Sequence, residues 1–588
     1  MSRHENNPGL PIENLAIGSI IEVDGTRIVA ELEQSITELS RVYGGVIYSI
    51  GQFGSIVRVH FGRKVIYGYV SRLRMKADYE REHGIAEGAL STARIVEVDL
   101  FGEGEWIHNT EFTPPKWELQ FDRGVTTFPL PQQKVYLTPK SELSFIFGQG
   151  KGATINIGEH VGSGGTPCLL DINELLGKHT AVLGSTGAGK SGTVAAILHR
   201  LLGRGQELNY GKWNPRIVVL DPHNEYGAAF PDHHRLSTDE GSIKLPYWLL
   251  DLQETTSLLV GKTEYAATSQ TNIVKNALLE VRKEGAKVLG ISPDDITVDS
   301  PIPYHLGDST GMDVFGKKEG ARYEHGLIGA INKQRPDNNN KKDHEDYNKV
   351  IRKIETLIKD SRLSFMMEEW DGKTDPFSAI VAQFIGDGDP LRIVDLSGVP
   401  NEVAGAASSA IARTLFYVKL WQTPSEREQS PVLLVCEEAH RYVPNRGEAQ
   451  YEAAKEAIRR LAKEGRKYGI GLMLVSQRPS EVEATVLSQC NSWVVLRITN
   501  DSDREHVRAI LPDSLAGLTK VLSGLRRQEA VIVGQATILP SRVLIYALSK
   551  DKLPRSHDID FEKGWQSDIM TVEQLTEIGN RWRLQRKK

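Results

Sequence analysis

The chain has 588 residues, 40% hydrophobic and 25% charged, with 54 Gly and 26 Pro; this is material for several compact units and excludes a wholly disordered chain. Lys and Arg number 71 against 76 Asp and Glu, a formal net charge of −5, so no bulk positive field holds polyanions and any nucleic-acid contact must be local. Cys168, Cys436 and Cys490 are too far apart for a disulfide framework or a CxxC metal knuckle, the pattern of a reducing, cytoplasmic protein.

In chain order, the first residues lack the apolar run of a signal peptide, and no stretch approaches the ~18 apolar residues that span a bilayer, so no membrane association is expected. From about residue 15 to 140, short runs alternate with period two, among them Thr26 to Leu32, Ser55 to Phe61, Lys64 to Val70 and Ala93 to Leu100. Alternation punctuated by glycine predicts a small antiparallel barrel ending near 150. Glycine-rich passages at Phe147 to Ala153 and Val161 to Pro167 read as linker and turn. The runs Thr180 to Leu183, Arg216 to Leu220, Val432 to Cys436, Gly471 to Val475 and Ser492 to Leu496 are then apolar throughout. Strands buried on both faces predict an α/β core, a mostly parallel sheet with helices on either side. Residues 235–375 are polar and helical, as in Thr268 to Glu284 and Lys349 to Lys359, and are broken by Arg335 to Lys342; this predicts a helical insertion with a flexible loop between core parts 151–234 and 376–555. Residues 556–588 end in a basic helical tail.

The strongest motif is Gly184-Ser185-Thr186-Gly187-Ala188-Gly189-Lys190-Ser191, which fits GxxxxGK[ST] between a buried strand and a helix, the setting this phosphate loop requires. Its backbone N–H groups close around phosphates, Lys190 reaches the β- and γ-phosphates, Ser191 ligates Mg²⁺, and Thr193 follows in the first helical turn. The expected ligands are ATP and Mg²⁺. An ATPase also needs acids, and the strand ending at Cys436 delivers Glu437 and Glu438. Glu437 would hold magnesium through its water shell and Glu438 would orient or deprotonate the attacking water. Two further strands end in Asp221 and in Gln477. Strand ends of an open parallel sheet meet at one crevice, so Gln477 suits a sensor amide and Asp221 either supports the metal shell or caps its own turn. Arg466 closes an amphipathic helix and could complete a neighbouring subunit's site; Arg478 is the competing candidate.

The ordered set GSTGAGKS, LDPHNEYG, LPYWLLDL, CEEAHRYVP, EGRKYGIGLMLVSQRPS and EAVIVGQATILPSRV resembles the HerA-type ATPases of the HerA/FtsK group. The resemblance implies a RecA-like core behind an N-terminal barrel like that of rotary ATP synthase subunits, and a homo-hexameric ring that moves double-stranded DNA through its centre. It also implies phosphate and metal roles for Lys190 and Ser191, Walker B roles for Glu437 and Glu438, a sensor role for Gln477 and a trans-acting role for Arg466. Bacterial relatives imply an effector partner, a nuclease or a sirtuin-like NAD-consuming enzyme, docking on the barrel in antiphage defence. The alternative is a hexameric scaffold for which ATP is only a switch. Lys341, Lys342, Arg441 and Arg446 are candidate DNA contacts.

Overall fold

The computed structural model describes residues 9–584 except 37, 53, 85–91, 111–115, 149–151, 162–164, 208–211, 239, 261–263, 308–324, 338–340, 387, 400, 446–451, 511–520, 556–560 and 567–569, with the backbone alone at 116, 264–267, 341–343, 401–402, 452–453 and 584. The alternating N-terminal runs become strands β1 (Ala16–Asp24), β2 (Arg27–Leu32), β3 (Ser40–Tyr43), β4 (Val46–Ser49), β5 (Ile56–Phe61), β6 (Lys64–Met75), β7 (Arg94–Asn109), β8 (Lys116–Arg123) and β9 (Lys134–Leu137). Six of them form the antiparallel order β2-β1-β9-β5-β6-β7, and β2 pairs back on β7, which closes a barrel and leaves β8 as an extension. Closure removes the sheet edges, and Leu15, Ile17, Ile28, Val57, Ile66 and Val98 fill the interior. The hairpin β3–β4 stands apart from that sheet.

A helix, Lys140–Gly148, joins barrel to core; its buried Glu142 takes the Arg58 guanidinium and the Tyr67 hydroxyl. The core sheet contains β10 (Thr154–His160), β11 (Pro167–Asp171), β12 (Thr180–Leu183), β13 (Ile217–Asp221), β14 (His234–Ser237), β15 (Leu391–Asp395), β16 (Val432–Cys436), β17 (Ile470–Ser476), β18 (Ser492–Leu496), β19 (Glu529–Gly534) and β20 (Ser541–Ile545). Their order is β11-β10-β20-β19-β18-β12-β17-β16-β13-β15-β14. The run from β18 to β14 is parallel and the β19, β20, β10, β11 side antiparallel. The fold is the expected α/β core with an N-terminal barrel.

Both faces of the central strands are dry. In β12, Ala181 and Leu183 join one hydrophobic cluster and Val182 the other, as the period of two requires. Most of the helical insertion packs into the core of the sheet, with Trp248, Val274, Leu278, Leu327, Ile331 and Ile354 in the same cluster as Ala181 and Leu183, while Ala286, Ile296 and Ile302 form a small cluster of their own. Two sequence expectations shift. β14 puts Arg235, Leu236 and Ser237 into the sheet, so the helical part begins after them. The glycine passages read as linker instead flank β10 and β11, an antiparallel pair that belongs to the core sheet. No helix among the described residues is long and apolar enough to cross a membrane.

Candidate active site

Strand β12 ends at Leu183, and the helix Lys190–Glu207 starts seven residues later. Between them Gly187 and Gly189 adopt φ of 74° and 101°, a region that side chains avoid, which is why glycine is required there. Neighbouring strands hold the loop. The Gly184 N–H donates to the Ser476 carbonyl at 3.3 Å, the Ser185 N–H to the Arg497 carbonyl at 2.8 Å, and the Gln528 N–H to the Ala188 carbonyl at 3.1 Å. Lys190 is only 7% exposed, and its ammonium reaches back to donate to the Ser185 carbonyl at 3.3 Å. The lysine thus lies over the cradle, with the helix N-terminus beneath, an arrangement suited to polyphosphate. Burial lowers its pKa, and the charges of Glu437, Glu438 and Glu225 oppose that. Thr193 is buried, its hydroxyl donating to the Gly189 carbonyl at 2.9 Å; it braces the helix start and does not face the cradle.

The acid edge is one strand further on. β17 lies between β12 and β16, so Gln477 at its end stands between the loop and the acids, and the Thr186 hydroxyl donates to its amide oxygen at 2.7 Å. Glu437 and Glu438 follow β16 directly and are both buried. Burial raises the pKa of Glu437 to about 8, with Glu438, Glu225 and Asp221 adding to the effect and the Tyr226 hydroxyl, 2.7 Å from Oε2, opposing it. Glu438 has φ 54° and ψ 52°, a left-handed conformation that costs about 1–3 kcal/mol in a non-glycine residue. Burial raises its pKa as well, against the pull of Lys190 and Arg441. Its Oε2 lies 3.3 Å from His440 Nδ1 but receives no hydrogen bond. A desolvated carboxylate with a free lone pair and raised proton affinity is the form a general base takes.

The structure separates the other candidates. Asp221 is fully buried and accepts the N–H groups of His223 and Tyr226; that carboxylate caps its own turn, and of the two roles expected for it this is the one these bonds support. No cluster of three or more metal-ligating side chains forms among the described residues. The donor set left, the Ser191 hydroxyl with Glu437 and Glu438 nearby, fits a magnesium held by a hydroxyl, phosphates and water. Arg466 is exposed in the turn before β17 begins, whereas Gln477 follows the end of that strand. Seven strand residues span about 20 Å, so Arg466 cannot serve the phosphate loop of its own chain. Arg478 lies at the loop end, exposed and bonded to Glu481 at 2.7 Å. Arg441 donates to His223 Nε2 at 3.1 Å beside the acid edge. Arg446 is outside the described residues, and of Lys341 and Lys342 only the backbone is described. Sequence reasoning missed Gln528 and Thr499, which touch the loop from just before β19 and just after β18; nothing in their local pattern marks them. Tyr226 did carry a signal, since it stands within the quoted LDPHNEYG.

Residues 155–415 match the family model for the central domain of the helicase HerA. Over that stretch the chain resembles a HerA central domain. The matched stretch takes in the phosphate loop and the helical insertion and stops before Glu437. Over 449 residues the chain is 25% identical to a probable helicase of Methanocaldococcus jannaschii, covering 76% of each. Over 458 residues it is 28% identical to that organism's probable DNA double-strand break repair helicase HerA, covering 71% of this chain and 80% of the relative. The solved structure of VirB4 of Thermoanaerobacter pseudethanolicus aligns over 68% of this chain and 98% of its own, with a TM-score of 0.46 and 17% identity. With this loop and acid edge, the chain is a P-loop ATPase of the helicase and translocase class.

Proposed function

We propose that the HerA-type chain is the subunit of a homo-hexameric ring that uses ATP and Mg²⁺ to translocate on, or unwind, double-stranded DNA. The observation that carries this reading is the placement of Arg466 on the sheet edge opposite its own phosphate loop, which lets this guanidinium meet a loop-bound nucleotide only across an interface. In that ring Lys190 and Ser191 bind phosphates and magnesium, Glu437 holds water on the metal, Glu438 takes the proton of the attacking water, and Gln477 senses the γ-phosphate. A channel needs cations only along its wall, so net −5 is compatible with DNA inside it. The barrel, built apart from the ATPase sheet, is the surface offered to an effector, of which a nuclease or a sirtuin-like NAD-consuming enzyme is the class the resemblance implies, in antiphage defence.

Steady-state ATP hydrolysis with and without linear duplex DNA, alongside solution mass, tests this. Hexamers whose turnover rises with duplex and falls with salt are expected. Glu438→Gln should cut turnover about 10²–10⁴-fold while leaving ATP binding intact. DNA-indifferent hydrolysis by hexamers would instead favour an ATP-switched scaffold.

A further inference from the structure

The sheet edge where β13, β16 and β17 begin holds a cavity of 340 Å³ that the cradle and acids described above do not use. Buried Ile172 and Leu201 form its floor together with Trp213 and Pro215, and exposed Lys212 and Arg466 stand at its rim with Arg216. Among the described residues that line it, none is acidic. The Trp213 indole N–H is already committed to the Leu201 carbonyl at 2.7 Å, which fixes the ring as part of the wall. The positive charge continues inward. Arg216 donates to the Gln429 carbonyl at 3.4 Å, and behind it Lys419 is buried, its ammonium held by Ser430 and Gln422. Burial and the neighbouring cations Arg216 and Arg427 lower the Lys419 pKa to about 8. Such a cluster is relieved by an anion. The size is that of a compact small-molecule site, and an apolar floor with a charged rim selects a ligand with a flat apolar body and an anionic end.

We propose that this cavity binds a purine nucleotide, its base against Trp213 and Pro215 and its phosphates on Lys212, Arg216 and Arg466. The nucleotide has two possible sources. It is either free in solution, which makes the cavity an effector site, or held by the phosphate loop of an adjacent copy, a case that rests on the ring proposed above.

Equilibrium dialysis of the full chain with ADP separates them. The proteins are Lys190→Ala, the double variant Lys212→Glu with Arg216→Glu, and the combination of all three, with circular dichroism confirming folding. If the source is free nucleotide, Lys190→Ala still binds about one ADP per chain and the triple variant binds none, whatever the solution mass. If the source is an adjacent copy, Lys190→Ala binds none, and the double variant weakens ADP binding at least tenfold with Lys190 intact. The proposal is overturned if Lys190→Ala binds no ADP and the double variant binds it within twofold of the native chain. It is also overturned if Lys190→Ala binds ADP and the triple variant binds it equally. Trp213→Ala supplies a second check without altering charge and should weaken the same binding several-fold; unchanged affinity there removes the base contact.

Discussion

At the level of single residues, the acid edge holds more negative charge than its surroundings compensate. Glu437 is buried beside Glu438, Glu225 and Asp221, and its pKa rises to about 8 from 4.5. Between those two values the folded chain holds a proton that the unfolded chain has released, so stability falls as pH rises through this window and is fully restored below about 4.5. Glu437→Gln removes the titration and keeps an oxygen for the Tyr226 hydroxyl. Thermal unfolding of nucleotide-free protein should therefore show the variant gaining on the native chain as pH goes from 5 to 8.5; parallel curves would refute the charge argument. Much of this edge was legible in advance, because a glycine loop and an acid pair at strand ends demand one another chemically. Asp221 was not. Its carboxylate was read as either a metal supporter or a turn cap, and only the N–H groups of His223 and Tyr226 decide between them.

Among the elements, two strands connect the loop to the rest of the molecule. β17 connects the turn that holds Arg466 to Gln477, one end facing the cavity and the other the loop. β19 follows Gln528, whose backbone lies against Gly189, and ends at Gly534; the carbonyls of Gly534, Thr537 and Ile538 accept the Arg123 guanidinium and that of Pro540 accepts the Tyr69 hydroxyl, both from the barrel sheet. Backbone at the phosphate loop is thus one strand away from the barrel. A Cβ on Gly189 would come within 3.3 Å of Gln528 and would sit on a φ of 101°, a strain of about 1–3 kcal/mol. Gly189→Ala should reduce ATP affinity tenfold or more, as read by titration. Gly192→Ala, where an added Cβ meets nothing within 4 Å, should leave the fold intact and stabilise the helix by about 0.5–1 kcal/mol. Equal affinities for the two variants would remove the argument from loop geometry. The sequence could not reveal the grip of β8 and β6 on the 534–540 turn, since Arg123 and Tyr69 are more than 400 residues from their partners and carry no local signal.

For the whole molecule, the two architectures were readable because each burial regime writes its own pattern: alternation where one strand face meets the barrel interior, unbroken apolar runs where both faces of the core sheet are covered. The helical insertion was harder, because polar helices that lend one face to an existing core look the same in sequence as a separate subdomain. Its shared cluster with β12 and β13 argues that insertion and sheet unfold together, and two buried histidines in the core test how that unit responds to acid. His160 stacks on Phe147 with centroids 3.8 Å apart, and His179 Nδ1 accepts the Leu472 N–H at 3.0 Å; burial first of all lowers each pKa to about 4. The unfolded chain protonates them near 6.5, so their contribution to stability is complete above that pH and is lost as pH falls from 6.5 toward 4. Two protons taken up on unfolding correspond to about 3 kcal/mol per pH unit near pH 5. Urea midpoints of the native chain and of His160→Gln with His179→Gln, measured from pH 7 to 4.5, should converge by roughly that slope as pH falls, with the Glu437 term common to both chains. If the two curves stay parallel, the histidines are charged in the folded state and the core around β10 and β12 is wetter than its packing implies.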